Sequence, residues 1–140
     1  MPALRHLGLL YPTIGPACAS SSAHEFAEGF MLTRSFLTWS WSLYAAQART
    51  ARDPRYDLTV ADGALSPPTT LIITQFDPLR DEAEAFAARL ACAGIPVSVR
   101  RYDGMIHGFA GFFERTPRAQ EAIREIALAC QRAPDANFKF

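Results

Sequence analysis

Thr69-Thr70-Leu71-Ile72-Ile73-Thr74, then Asp77-Pro78-Leu79-Arg80-Asp81-Glu82 and, one unit later, His107-Gly108-Phe109, form the stretch whose reading decides the fold. The first six residues are β-branched or apolar and run into an Asp-Pro stop, which is the composition of a buried strand. A helix follows. Phe86, Ala87, Leu90 and Ala93 recur at helical spacing, and Asp81 with Glu84 three positions on has an acidic version of the capping-box spacing. Gly94 stands where a C′ glycine belongs. Ile95-Pro96-Val97-Ser98-Val99 then supplies another strand. Strand, helix, strand in this order predicts parallel neighbours joined by a right-handed crossover. In open parallel sheets, chemistry gathers beyond the carboxyl ends of the strands, and Asp77 and His107 both fall there.

Upstream, residues 5 to 11 make a short apolar run ended by Pro12, which suits a strand buried on both faces. Gly15 to Gly29 is rich in Ser and Ala and reads as an irregular connection. Thr33 can cap a helix whose apolar residues Phe36, Leu37, Trp39, Trp41, Leu43 and Tyr44 lie on several sides, implying burial on more than one face. Arg49 to Pro54 closes it. Downstream, Thr116-Pro117 opens a helix with Pro in its first turn, and Ala119, Ala122, Ile123, Ile126, Ala127 and Cys130 give it one stripe. The expectation is an α/β fold, about three parallel strands flanked by helices, in one domain over residues 1–132 with a frayed tail at 133–140.

A chain of 140 residues with 49% hydrophobic content can build a real core. Fourteen basic residues balance fourteen acidic ones without clustering, so nucleic acid and anionic membrane surfaces are poor partners. Cys92 and Cys130 sit in helical patterns among Ala, Leu and Ile and read as buried free thiols. Without a C-x-x-C pair or metal-ligand spacing among His6, His24 and His107, no metal is expected. Arg5 before Leu7-Gly8-Leu9-Leu10, with Ala17-Cys18-Ala19 beyond, imitates a secretory signal. Tyr11 and Pro12 break that apolar run, so a buried strand explains it better. No run is long enough to span a membrane, and a cytoplasmic location is expected.

Larger words of sequence connect these elements. They are Leu9-Leu10-Tyr11-Pro12, Glu25-Phe26-Ala27-Glu28-Gly29 with Leu32-Thr33, Pro67-Pro68 before the strand, Asp77 through Glu82, Ala93-Gly94-Ile95-Pro96-Val97, and Arg101-Tyr102-Asp103-Gly104-Met105-Ile106-His107-Gly108-Phe109. Together they make residues 7 to about 129 resemble the carboxyl-terminal part of the hormone-sensitive-lipase-like esterases, the fold-3 group of the α/β-hydrolases. The resemblance implies a partial α/β-hydrolase sheet without its amino-terminal half, and a Ser-His-Asp acyl-enzyme mechanism on small or medium esters without metal or organic cofactor. It makes Asp77 the triad acid and His107 the general base. Gly108 would let the loop turn beside the site and Phe109 would wall it, while Asp81 would be a helix cap and Glu82 part of the same first turn.

The chain departs from the family where the nucleophile is concerned. It holds no G-x-S-x-G elbow and no H-G-G-G-type oxyanion loop, parts the family carries upstream of the strand near Leu7. Ser20, Ser21, Ser22 and Cys18 are the nearest substitutes, but a Ser-rich loop is more often a solvated connector. Asp77 and His107 alone would read as a surface carboxylate–imidazole pair; the surrounding words make them inherited catalytic positions. Two functions follow: an ester hydrolase portion, weak or inactive alone, and a non-catalytic remnant that self-associates through the exposed strand near Leu7. A residual esterase using His107 with water or a stray Ser ranks below both.

Overall fold

The computed structural model describes residues 4–45 and 53–132. The expected closure at Arg49–Pro54 and the tail at 133–140 therefore lie partly or wholly outside the described residues. Three strands, β1 (Leu7–Leu10), β2 (Thr69–Phe76) and β3 (Val97–Ile106), pair in parallel in the order β1-β2-β3. The helices are α1 (Ser21–Glu25), α2 (Arg34–Ala45), α3 (Arg80–Cys92) and α4 (Pro117–Arg132). The α/β class with three flanked parallel strands is as the sequence led us to expect.

Alternation along β2 divides the core between two faces, because successive side chains of a strand point opposite ways. Leu71 packs with Phe86, Ala87 and Leu90 of α3, while Ile72 packs with Ala119 and Ala122 of α4. Each buried Leu or Ile contributes about 1.5–3 kcal/mol, so β2, covered on both faces and both edges, anchors the sheet. Close packing reaches the backbone at Gly8, where a Cβ would stand 2.7 Å from Ile126 Cγ2 of α4.

The ends of the elements follow local chemistry. Thr33 accepts the Phe36 N–H and caps α2. Gly94 is left-handed (φ +80°), and with Gly94 N–H on the Ala91 carbonyl and Ile95 N–H on the Leu90 carbonyl it closes α3 in a Schellman motif. Pro117 opens α4.

Several expectations are corrected. β1 is four residues long and half-buried, since it has a neighbour on one edge among the described strands. β3 runs through Ile106, twice the expected length, so His107 directly follows a strand. Gly15–Gly29 contains α1, whose Ser22 and Ala23 are buried. Leu37 is the buried residue of α2, and Trp39 is 56% exposed, with Phe36, Leu43 and Tyr44 about as open. A helix with apolar groups all round needs several neighbours, and the described residues cover one side of it. In α4 the stripe narrows to Ala119, Ala122 and Ile126, with Ile123, Ala127 and Cys130 exposed. Cys92 and Cys130 are exposed and Cys18 is the buried thiol, because helical spacing marks a stripe without saying how wide a neighbour covers it.

Candidate active site

Parallel strands leave the sheet at the same end, so Asp77 after β2 and His107 after β3 become neighbours across one inter-strand spacing of about 4.8 Å. Register has to place them level. Thr74 pairs with Tyr102, but Phe76 pairs with Ile106, so β3 takes up two extra residues between these rungs. Gly104, left-handed at φ +79°, makes that bulge, and its N–H donates to Gln75 Oε1 at 2.7 Å. In the register before the bulge, Asp77 would face Met105. After it, Asp77 and His107 are the next residues of a matched pair. Sequence reading missed Gly104 in this role; the signal was a glycine inside a strand pattern.

His107 Nδ1 lies 2.9 Å from Asp77 Oδ2. The Asp77 side chain is 1% exposed and that of His107 is 24% exposed. Asp77 Oδ2 also accepts from the Thr74 hydroxyl at 2.7 Å, and Oδ1 accepts from the Leu79 N–H at 2.9 Å. Protein donors reach both oxygens and fix the carboxylate in place. With Nδ1 toward Asp77, Nε2 is the ring nitrogen left to exchange a proton with an incoming group. Gly108 is left-handed at φ +77° and turns the chain directly after His107. Phe109 is buried against Tyr102 and Tyr11.

The strand-end loops close on this pair from two sides. Tyr11 and Met31, both non-glycine residues with positive φ (+37° and +71°), reach the same turn. Such backbone is strained by about 1–3 kcal/mol per residue and collects at functional sites. The Tyr11 ring meets the His107 ring edge-on with centroids 4.6 Å apart, and Met31 Cε stands 3.5 Å from where a Gly108 Cβ would be. Phe26, Phe30 and Phe76 form an aromatic cluster next to Asp77, with Phe30 and Phe76 stacked at 5.2 Å.

The word Asp77–Glu82 holds these loops down. The Pro78 carbonyl accepts the Ser22 hydroxyl at 3.1 Å. Arg80 lays its guanidinium 5.1 Å over the Phe26 ring and donates to Asp81 Oδ1 and to the Gln75 carbonyl. Asp81 does not cap α3, which begins at Arg80 without a side-chain cap. Its Oδ2 accepts the Ser22 N–H at 2.7 Å instead, because the α1 segment lies within reach. Glu82 Oε1 accepts the Ile14 N–H at 2.8 Å. Burial raises the Glu82 carboxyl to about 7; repulsion from Asp77 adds to this, and the backbone of Ile14 and Gly15 and the Thr13 side chain oppose it.

Three of the four candidate substitute nucleophiles are engaged or buried, and Ser21 is exposed. Ser20 Oγ caps α1 by accepting the Ala23 N–H, and Ser22 is fully buried. Cys18 is buried too, and burial, then the Glu82 charge, pushes its thiol pKa up against the pull of Arg34. Among the described residues no cluster of three or more His, Cys, Asp or Glu could hold a metal ion, and no helix is long and apolar enough to cross a membrane.

Comparison with known proteins identifies the family. Residues 1–111 match the alpha/beta hydrolase fold family. The chain is 27% identical over 125 residues to an ethyl acetate hydrolase of Pseudomonas putida, covering 89% of this chain and 39% of that protein. It is 32% identical over 123 residues to the carboxylic ester hydrolase LipN of Mycobacterium tuberculosis, covering 86% and 33%. Among solved structures, a thermostable esterase of Pseudomonas putida superposes with a TM-score of 0.87 at 30% identity, over 98% of this chain and 44% of that one. EstE1, a thermophilic carboxylesterase cloned from a metagenomic library, superposes with a TM-score of 0.86 at 27% identity, over 92% and 45%. The chain thus spans about two fifths of the length of the relatives it matches. Its sequence words, its three parallel strands and these matches agree: the chain belongs to the α/β-hydrolase fold family, in the hormone-sensitive-lipase-like, fold-3 group.

Proposed function

We propose that this chain supplies the acid–base half of a carboxylic-ester hydrolase site, with Asp77 as the orienting carboxylate and His107 as the proton carrier. The observation that carries the reading is the 2.9 Å contact between His107 Nδ1 and a buried Asp77. In this reading Nε2 takes the proton of an attacking hydroxyl as its oxygen bonds to the acyl carbon. It then gives that proton to the departing alkoxide, and water repeats the sequence to free the acid. Asp77 stays ionised throughout and stabilises the imidazolium. The nucleophile and oxyanion donors belong to the part of the family fold that this chain does not span. Small or medium acyl esters are the substrate class, in line with the ester hydrolases among the relatives. Three free thiols favour a cytoplasmic setting.

The test is hydrolysis of a short-chain p-nitrophenyl ester by the chain beside His107→Ala. Activity lost in the variant supports a working site. Equal background rates would leave the pair without chemistry in this chain alone.

The second reading is a self-associating, non-catalytic module, and one observation favours it. Leu7 and Tyr11 N–H donate toward β2, to the Pro68 and Ile72 carbonyls at 2.9 and 2.6 Å. Alternation then aims the amides and carbonyls of Gly8 and Leu10 away from β2, at an edge without a partner among the described strands.

A further inference from the structure

We infer that Tyr11 is a positioning residue that holds the His107 imidazole in the orientation its bond to Asp77 requires. The inference rests on the proposed acid–base role of the pair and goes beyond it to what keeps the ring in place. The hydrogen bond at Nδ1 is a single restraint against rotation of the imidazole about its Cβ–Cγ bond, and His107 is partly open to solvent. A second contact is needed on the ring itself.

Tyr11 makes that contact by an unusual backbone. Its N–H closes the last rung on β2 at the Ile72 carbonyl, and at once φ turns to +37°. A residue before proline ordinarily stays extended, and in an extended strand the Tyr11 ring would stand across the sheet, on the face that alternation along β1 sets. The left-handed turn instead brings the ring edge-on to His107 (centroids 4.6 Å, planes 60° apart) and against Phe109 (6.1 Å, 60°). Phe109 is itself buried on Tyr102, so Tyr11 is backed by core and does not yield easily. Burial and the nearby Asp77 charge raise the Tyr11 phenol pKa, so the ring stays neutral and does not compete with Asp77 for the imidazole proton. The Glu82 carboxylate, by accepting the Ile14 N–H three residues on, anchors the far end of the same turn.

The experiment is 1H–15N NMR of the histidine rings in the whole chain, above the ordinary imidazole pKa of about 6.5, with His107 assigned by its loss in His107→Ala. The wild type and Tyr11→Phe are expected to show His107 as one tautomer, protonated at Nδ1, with a low-field Nδ1 proton. Tyr11→Ala is expected to lose that proton and average the two tautomers while its backbone spectrum stays dispersed. If Tyr11→Ala loses dispersion, Tyr11→Leu, which keeps apolar volume on Phe109, is read in its place with the same expectation. An unchanged tautomer and proton in the folded variant would overturn the role of Tyr11 and leave the Asp77–His107 pair standing. Loss in Tyr11→Phe would overturn it as well, assigning the effect to the hydroxyl. Absence of the proton in the wild type would overturn the pair, and Tyr11 with it.

Discussion

Ser22 and Asp81 hold one another by two hydrogen bonds running in opposite directions: the Ser22 N–H donates to Asp81 Oδ2 at 2.7 Å, and the Asp81 N–H donates to Ser22 Oγ at 3.1 Å. The Ser22 hydroxyl then donates onward to the Pro78 carbonyl. A partly buried seam thus ties α1 to the first turn of α3, one residue from the Asp77 backbone bond that starts that turn. Removing one partner strands the other, and an unpaired buried polar group costs about 1–3 kcal/mol. Ser22→Ala and Asp81→Ala are each expected to lower the urea midpoint accordingly. Each substitution removes a different acceptor, Ser22 Oγ or Asp81 Oδ2, and leaves the backbone N–H it served, so the losses in the double variant should be close to additive. A double variant that loses much less than the sum would show that the two bonds act as one unit.

Gly104 sets the register that makes Asp77 and His107 level. Its left-handed φ costs a residue with a Cβ about 1–2 kcal/mol, although nothing lies within 4 Å of a Cβ there. Gly104→Val is therefore expected to lower the melting temperature and weaken the His107 Nδ1–H signal, whereas Gly104→Asn, which tolerates this region, should be milder. A Gly104→Val chain with wild-type stability and an intact His107 signal would mean the bulge is not needed.

Glu82 makes stability depend on pH. Its carboxyl is raised in the folded chain to about 7 from an ordinary value of 4.5. Between those values the folded state binds more protons than the unfolded one, so stability is greatest below the unfolded value and falls as pH rises through 7. Each tenfold difference in proton affinity between the two states is worth about 1.4 kcal/mol. Partial contact with solvent screens the group, leaving roughly 1–2 kcal/mol. Glu82→Gln keeps an oxygen for the Ile14 N–H without the charge. It is expected to flatten the pH dependence of the denaturant midpoint and to equal or exceed the wild type in alkaline buffer. Parallel profiles for the two proteins would refute this.

The edge of β1 that has no partner among the described strands predicts a concentration-dependent dimer through the Gly8 and Leu10 backbone. Sedimentation equilibrium across a wide concentration range should show a rising mean mass. A well-folded, strictly monomeric species throughout would sink the self-association reading.

Much of the architecture was legible because it rests on local rules. The β-branched run at Thr69–Thr74, the Gly94 stop, the Thr33 cap and Pro117 each act within a few residues, and each stands where its chemistry puts it. Burial was less legible. A stripe on α2 or α4 says which residues share a side, but exposure depends on what arrives from elsewhere in the chain, so Trp39, Cys92 and Cys130 are open where burial was expected.

By itself the sequence determined the order of parallel strands and helices, and it put an acid and a histidine at the ends of two neighbouring strands. These are consequences of periodicity, turn chemistry and chain direction. The tertiary structure alone decided that the pair is level, through the Gly104 bulge, and that Asp81 and Glu82 reach away from their own helix to Ser22 and Ile14. It also decided that Tyr11 turns back onto His107. Hydrogen bonds and ring contacts between residues thirty to nearly a hundred positions apart depend on how strands and loops meet in space, which no local pattern encodes.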